Sequence, residues 1–259
     1  MSASIRKFMN RVLKPTGYEL IRINKKRAVG IDLAPVIGAL ATGAGRGVTV
    51  VQVGANDGIT SDPVFRAILE HAAIAILVEP QRHLIERLRN NYERFSGDLR
   101  IRNEAVGRHE YSTFYRVSPE LHERYQAERG SDPTGVASFS RDHVVRHLSK
   151  LGLSPGQLDQ AVVAEEVACT TLSRLLKEEK AERPVFLQLD CEGYDWQALQ
   201  TLEDWRPDAI NFEASHLSPD ERRSCEAWLH TEGYDVYAHA PDCLAVRTRA
   251  TAIGVSRTR

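Results

Sequence analysis

The chain has 259 residues, a formal net charge of -1, and 42% hydrophobic against 27% charged residues. That balance fits one large α/β core and excludes an obligate nucleic-acid partner, because a phosphate binder carries a basic surplus. No apolar run approaches the ~20 residues needed to span a bilayer, and no signal-peptide core follows the start, so a cytoplasmic location is expected. Cys169, Cys191, Cys225 and Cys243 show no metal-ligand spacing and read as reduced thiols.

Residues 1–47 form a basic extension. Arg6, Lys7, Arg11, Lys14, Arg22, Lys25, Lys26 and Arg27 stand against Glu19 in its first 27 residues. Ile5, Phe8, Met9, Val12 and Leu13 fall at helical spacing, which suits either a helix packed on the domain or a peripheral contact with a membrane surface. The stretch ATGAGRG, residues 41–47, reads as a linker.

The main domain is expected over residues 48–248. Val48–Val53 is almost wholly apolar and β-branched, as a buried parallel strand should be. A helix through Val64, Ile68 and Leu69 leads to a second strand, Ala73–Val78. An amphipathic helix over Arg82–Phe95 leads to a third, Leu99–Val106. This rhythm predicts an α/β fold with a Rossmann-like, mostly parallel sheet and helices on both faces. Ser112–Val117 alternates like an exposed strand, and the polar stretch 118–165 reads as an insertion that serves as a substrate lid or a solvated loop. His122, Tyr125, His143, His147, Arg129, Arg141 and Arg146 are its candidate acceptor contacts. The sheet is expected to resume at Thr170–Leu176 and to continue with Val185–Leu189 and Ala209–Phe212. A helix through Trp196, Leu199 and Leu202 and another over Pro219–Glu232 accompany these strands. A terminal antiparallel hairpin, Asp235–Ala238 with Cys243–Val246, and a basic tail over 249–259 complete the chain.

The chemistry gathers at strand ends. The first strand runs into Gly54-Ala55-Asn56-Asp57-Gly58, where glycines permit close backbone approach to a cofactor. The second ends at Glu79, about twenty residues on, where an acid accepts hydrogen bonds from the ribose hydroxyls of a nucleotide-type cofactor. A nicotinamide dinucleotide wants G-x-G-x-x-G, and here Asn56 stands at the second glycine while Asp57 would face the pyrophosphate. A cationic, phosphate-free cofactor such as S-adenosylmethionine tolerates these acids. Asp190 and Glu192 follow one buried strand, and Glu213 and His216 the next. Asp190 is expected to orient cofactor or acceptor, and His216, with Glu213 beside it, to act as general base. Asp190, Glu213 and His216, with Glu192, could equally hold Mg²⁺ or Mn²⁺, although nothing in their spacing demands a metal.

The ordered segments VVQVGANDG, LVEP, NEAVG, TTLSRLL, LQLDCEGYD and INFEASH resemble the FkbM family of methyltransferases, over about Val48 to Val246. The resemblance implies a class I methyltransferase fold and S-adenosylmethionine-dependent methyl transfer, mostly to oxygen of sugars, glycans or glycosylated natural products. It further implies that Gly54, Asn56 and Asp57 line the cofactor, that Glu79 binds its ribose, and that Ala105 and Val106 border its adenine. The small-residue turn Gly135-Val136-Ala137-Ser138 would approach the same cofactor. Gln188 departs from the family, which usually has lysine there. Two readings from other classes stand beside it: a Rossmann-type oxidoreductase using NAD(P), and a non-catalytic module that senses a cofactor. An oligomer is compatible with each.

Overall fold

The structure, a computed structural model, describes residues 31–45, 47–129, 133–239 and 241–247. The expected N-terminal helix and the basic tail lie outside these residues.

The central sheet has seven strands in the order β3-β2-β1-β7-β8-β10-β9. They are β1 (Val48–Val53), β2 (Ala72–Val78), β3 (Asp98–Arg102), β7 (Val185–Leu189), β8 (Ala209–Glu213), β9 (Tyr234–His239) and β10 (Asp242–Arg247). The first five are mutually parallel, and β10 runs antiparallel between β8 and β9, closing the sheet with the hairpin expected from its sequence. Alternation along each strand divides the core into two layers. Val51 and Val53 of β1 point to one layer with Ile76, Leu187, Leu189 and Phe212. Val48 and Val50 point to the other with Ala75, Leu77 and Phe186. Helices α1 (Ala34–Ala44), α2 (Phe65–His71) and α3 (Ile85–Asn91) cover the second layer through Ile37, Ile68 and Leu88. On the opposite face, α7 (Leu172–Glu178), α8 (Asp195–Leu199) and α9 (Pro219–Thr231) contribute Leu175, Leu199 and Leu229. Among the described residues, no helix is long and apolar enough to cross a membrane.

Four expectations need correction. Residues 41–44 of the supposed linker are the last turn of α1, which ends at Gly45 with φ +67°; alanine and threonine there propagate a helix that only the glycine stops. The single strand over Leu99–Val106 is two. Asn103 turns aside and donates to the carbonyls of Glu79 and Pro80 at 2.9 Å each, which ends β3 and sends β4 (Ala105–Val106) into a second sheet. Thr170–Leu176 is not a strand beyond Thr170, because the Thr171 hydroxyl accepts from the amide of Arg174 and starts α7.

The fourth correction concerns the region 118–165. It is largely ordered structure: α4 (Pro119–Arg129), α5 (Arg141–Ser149), α6 (Pro155–Ala161) and the first part of β6 (Val162–Thr170). Strand β6 pairs antiparallel with β5 (Tyr111–Val117) and parallel with β4. A small core of Val117, Leu121, Val144, Leu148 and Ala161 holds these elements together. Each helix offers it only one or two apolar residues, too narrow a stripe to stand out from a polar sequence.

Phe186 is fully buried in the middle of the sheet, opposite Val50 and Ala209. Phe186→Ala is expected to lower unfolding stability by about 3–5 kcal/mol, measured by denaturant titration with circular dichroism.

Candidate active site

Parallel strands β1, β2, β7 and β8 present their carboxyl ends at one edge, where loops rather than helices meet solvent. Gly54 bridges them. Its amide donates to the carbonyl of Val78 at 3.0 Å, and the amide of Asp190 donates to Val53 at 3.0 Å. Gly54 has φ +79°, and a Cβ there would run into the carbonyl oxygen of Asp190. Glycine is therefore required at the point where the two strand ends converge.

A cavity of about 280 Å³ opens at this edge. The strand ends provide Gly54, Asn56, Glu79, Ala105, Val106 and Asp190, all expected from the sequence, together with Gln52, Gln188 and Glu192. Thr134 to Ala137 close it from the side of the insertion. Phe114 and Phe139, packed edge to face with ring centroids 5.3 Å apart, add an apolar wall beside Val106 that the sequence reading missed. An aromatic on an exposed-looking strand carries no signal until the small sheet folds over the larger one. Among the described residues the lining holds four carboxylates, Asp62, Glu79, Asp190 and Glu192, and no lysine, arginine or histidine.

Glu79 is anchored by the backbone. Its two carboxylate oxygens accept the amides of Asn56 at 2.8 Å and Gln81 at 2.9 Å. Burial pushes its carboxyl up against the stabilising pull of these amides. Asn56 turns the loop with φ +47°, and its Oδ1 accepts the Thr134 hydroxyl at 3.2 Å, tying the loop to the insertion. Asp62 caps α2 by accepting the amides of Val64 and Phe65.

Asp57 and Ser138 stand apart from the expectation that they touch a cofactor, since neither lines the cavity. Asp57 folds back into its own loop, where it accepts the amides of Ile59 and Thr60 and the Thr60 hydroxyl, and pairs with Arg87 at 2.6 Å. Burial opposes its ionisation, but those donors win and its pKa is lowered. Ser138 donates to the carbonyl of Glu192 at 3.1 Å and so braces the site from behind. Gln188 is buried, where its side chain donates to the carbonyl of Leu189 and accepts the side-chain amide of Asn211.

Asp190 opens into the cavity. Although its side chain is accessible there, the surrounding walls and the charges of Glu192 and Glu213 push its carboxyl up to about 8. Desolvation, followed by the charge of Glu213, also raises Glu192, to about 7. Beside the cavity, His216 lies with Nδ1 3.0 Å from Glu213 and 3.6 Å from Glu192. Two histidines of α5 join them. His143 Nε2 is 2.8 Å from Glu192 Oε2, and His147 Nδ1 is 3.2 Å from the carbonyl of His143. Desolvation lowers the pKa of both, which favours neutral imidazoles. Of the four residues expected to hold a metal, Glu192 and His216 join this histidine cluster, Glu213 flanks it, and Asp190 faces the cavity instead. Arg141 points away to an exposed pair with Asp159, and the side chains of Tyr125 and Arg129 lie outside the described ones.

The model of the methyltransferase FkbM domain matches residues 52–237. The chain belongs to this family. Among solved structures, the methyltransferase FkbM from Methylobacillus flagellatus is 15% identical with a TM-score of 0.43. That match covers 76% of this chain and 43% of that one, so the FkbM-family chain spans less than half the length of this relative. A protein described as an RNA methyltransferase from Pyrococcus horikoshii is 13% identical with a TM-score of 0.34, over 91% of this chain and 85% of that one. No curated protein matches the chain.

Asp57→Asn is expected to cost about 1–3 kcal/mol at pH 7, because it removes a charged acceptor from three donors and Arg87. The folded-state pKa is lowered, so the stabilisation is present above the unfolded value near 3.9 and disappears as pH falls through the folded one. Wild type and variant should therefore converge in acid, as followed by thermal melts across pH.

Proposed function

We propose that this FkbM-family protein is an S-adenosylmethionine-dependent O-methyltransferase acting on a hydroxyl of a sugar, a glycan or a glycosylated natural product. The observation that carries the cofactor reading is the make-up of the cavity: four carboxyl groups and no cationic side chain among the described residues that line it. A cationic, phosphate-free cofactor suits such walls, whereas the pyrophosphate of a nicotinamide dinucleotide would meet like charge without compensation. Glu79, held by two backbone amides, would accept the ribose hydroxyls. Ala105, Val106 and the Phe114–Phe139 wall would pack on the adenine. Gly54 allows close approach at the strand ends, and Asn56 and Asp190 would hold the polar end.

When bound, the cofactor supplies an electrophilic methyl group on a sulfonium. The chain's own task is to align an acceptor hydroxyl and to receive its proton. Glu192 and Asp190 can accept hydrogen bonds from hydroxyls, which supports a polyhydroxylated acceptor. His216, with Nδ1 3.0 Å from Glu213, would take the proton in the metal-free chain. The helices of 118–165 form one wall of this acceptor side through Thr134 to Ala137 and His143.

Calorimetry should show binding of S-adenosylmethionine and S-adenosylhomocysteine but not NAD. Glu79→Gln should weaken the first two about 10- to 100-fold, the range for a lost charged hydrogen bond. Tight NAD binding without either sulfur compound would refute the cofactor reading.

With the acceptor found by a labelled-methyl screen of sugar nucleotides and glycolipid extracts, His216→Ala should lower kcat about 10²- to 10⁴-fold. Cofactor affinity should change less than about threefold. Full methyl transfer by that variant would remove His216 from the reaction. Cofactor binding with no transfer to any acceptor would favour a sensing module.

A further inference from the structure

We propose that His143, His147, Glu192 and His216 form a binding site for one divalent transition-metal ion at the acceptor side of the cavity. The three segments that supply them, residues 118–165 and the chain after β7 and after β8, are far apart in sequence. Each residue offers one ligand atom, and all four atoms lie within 4.8 Å of one another. A tetrahedral ion with bonds of about 2.1 Å spaces its ligands about 3.4 Å apart. Two separations in the cluster, 2.8 Å from Glu192 to His143 and 3.6 Å to His216, bracket that value. Small side-chain rotations would therefore close the set.

The local structure arranges the ligands on both sides. His143 and His147 are four residues apart on α5, so their rings share one face of the helix. Their centroids are 4.4 Å apart, and the His216 ring lies 4.7 and 5.4 Å from them. His147 can donate Nδ1–H to the carbonyl of His143, which leaves the Nε2 lone pair available. This is the outer hydrogen bond that metal-bound imidazoles use to set their tautomer. Glu192 is presented by a turn with φ +49°, next to Gly193 at +93°.

Without an ion the arrangement is poorly satisfied. The rings of His143 and His216 both approach the Glu192 carboxylate, and Nδ1 of His216 is buried with no hydrogen-bond partner despite its closeness to Glu213. A dication resolves both defects. Three neutral nitrogens and one carboxylate select zinc-like or manganese-to-nickel ions over Mg²⁺ or Ca²⁺, which prefer all-oxygen shells. The site shares Glu192 and His216 with the set expected from the sequence and takes His143 and His147 in place of Asp190 and Glu213. It rests on the methyl-transfer reading only for its use: beside an acceptor hydroxyl the ion would act as a Lewis acid. His216 would then be a ligand, and Glu213 the base left free.

The test uses Co²⁺ as the probe on the full chain stripped with chelator, without cofactor or acceptor. Wild type should bind one equivalent by calorimetry and develop the visible absorption of tetrahedral or five-coordinate Co²⁺. His143→Ala and His147→Ala should each weaken binding more than about 100-fold, beyond the range for lost outer partners. Circular dichroism checks folding. If His143→Ala fails to fold, the less buried His147 supplies the readout with His147→Ala and His147→Gln. Binding that lacks a visible band, exceeds one equivalent without saturating, or survives His147→Ala unchanged would overturn the site. A chain that binds S-adenosylmethionine but not Co²⁺ refutes only the metal. One that binds Co²⁺ but not S-adenosylmethionine keeps the metal site and refutes the methyl-donor reading.

Discussion

The convergence of β1 and β7 at Gly54 is the constraint on which the site depends. The Asp190 amide is hydrogen-bonded to Val53, and the Asp190 carbonyl occupies the space where a side chain of residue 54 would go. This crossing sets where both strands stop. It also delivers Asp190, Cys191 and Glu192 to the mouth of the cavity and frees the chain after Gly54 to turn toward Glu79. A hydrogen bond from Gly54 to Val78 then locks the third strand end to the same place. The floor of the cavity is thus made of backbone, which is stiff, and its chemistry is carried by the acids that follow each strand.

Those acids divide by the way they are satisfied. Asp57 is ionised and consumed by amides, a hydroxyl and Arg87, so it shapes the loop. Glu79 is also held by amides, yet it keeps a face on the cavity. Asp190 and Glu192 lack a comparable set of donors, and desolvation, with repulsion from Glu213 added, leaves negative charge costly at that end. A cationic ligand relieves this cost, and so would a metal ion a few ångströms further out. The same electrostatics therefore underlie both the cofactor reading and the histidine cluster. The two proposed ligands would use different residues, with Glu192 alone common to the cavity lining and the metal set.

The insertion gives the edge its second wall. Its small core is modest, but it positions α5 so that His143 and His147 face Glu192 and His216. Thr134, through Asn56, connects the same layer to the loop after β1. The loop after β1 and this layer are consequently joined by a hydrogen bond as well as by proximity.

The amino-acid sequence by itself determined the sheet, because buried parallel strands such as Val48–Val53 and Val185–Leu189 are apolar runs with no other stable home. It also determined the turn after β1 and the acid after β2, since glycine and Glu79 sit at fixed offsets from those strands, and the ordered motifs carried the family. Tertiary structure decided which polar residues face the cavity. Asp57 and Asn56 are adjacent and look alike in sequence, and only the fold turns one inward to Arg87 and leaves the other toward the ligand. It likewise decided that His143 and His147, about fifty and seventy residues from Glu192 and His216, belong to the same cluster. Local patterning reports on neighbours along a helix or strand. The meeting of α5 with the ends of β7 and β8 depends on how a weakly amphipathic insertion packs, and that information appears only when the chain is folded.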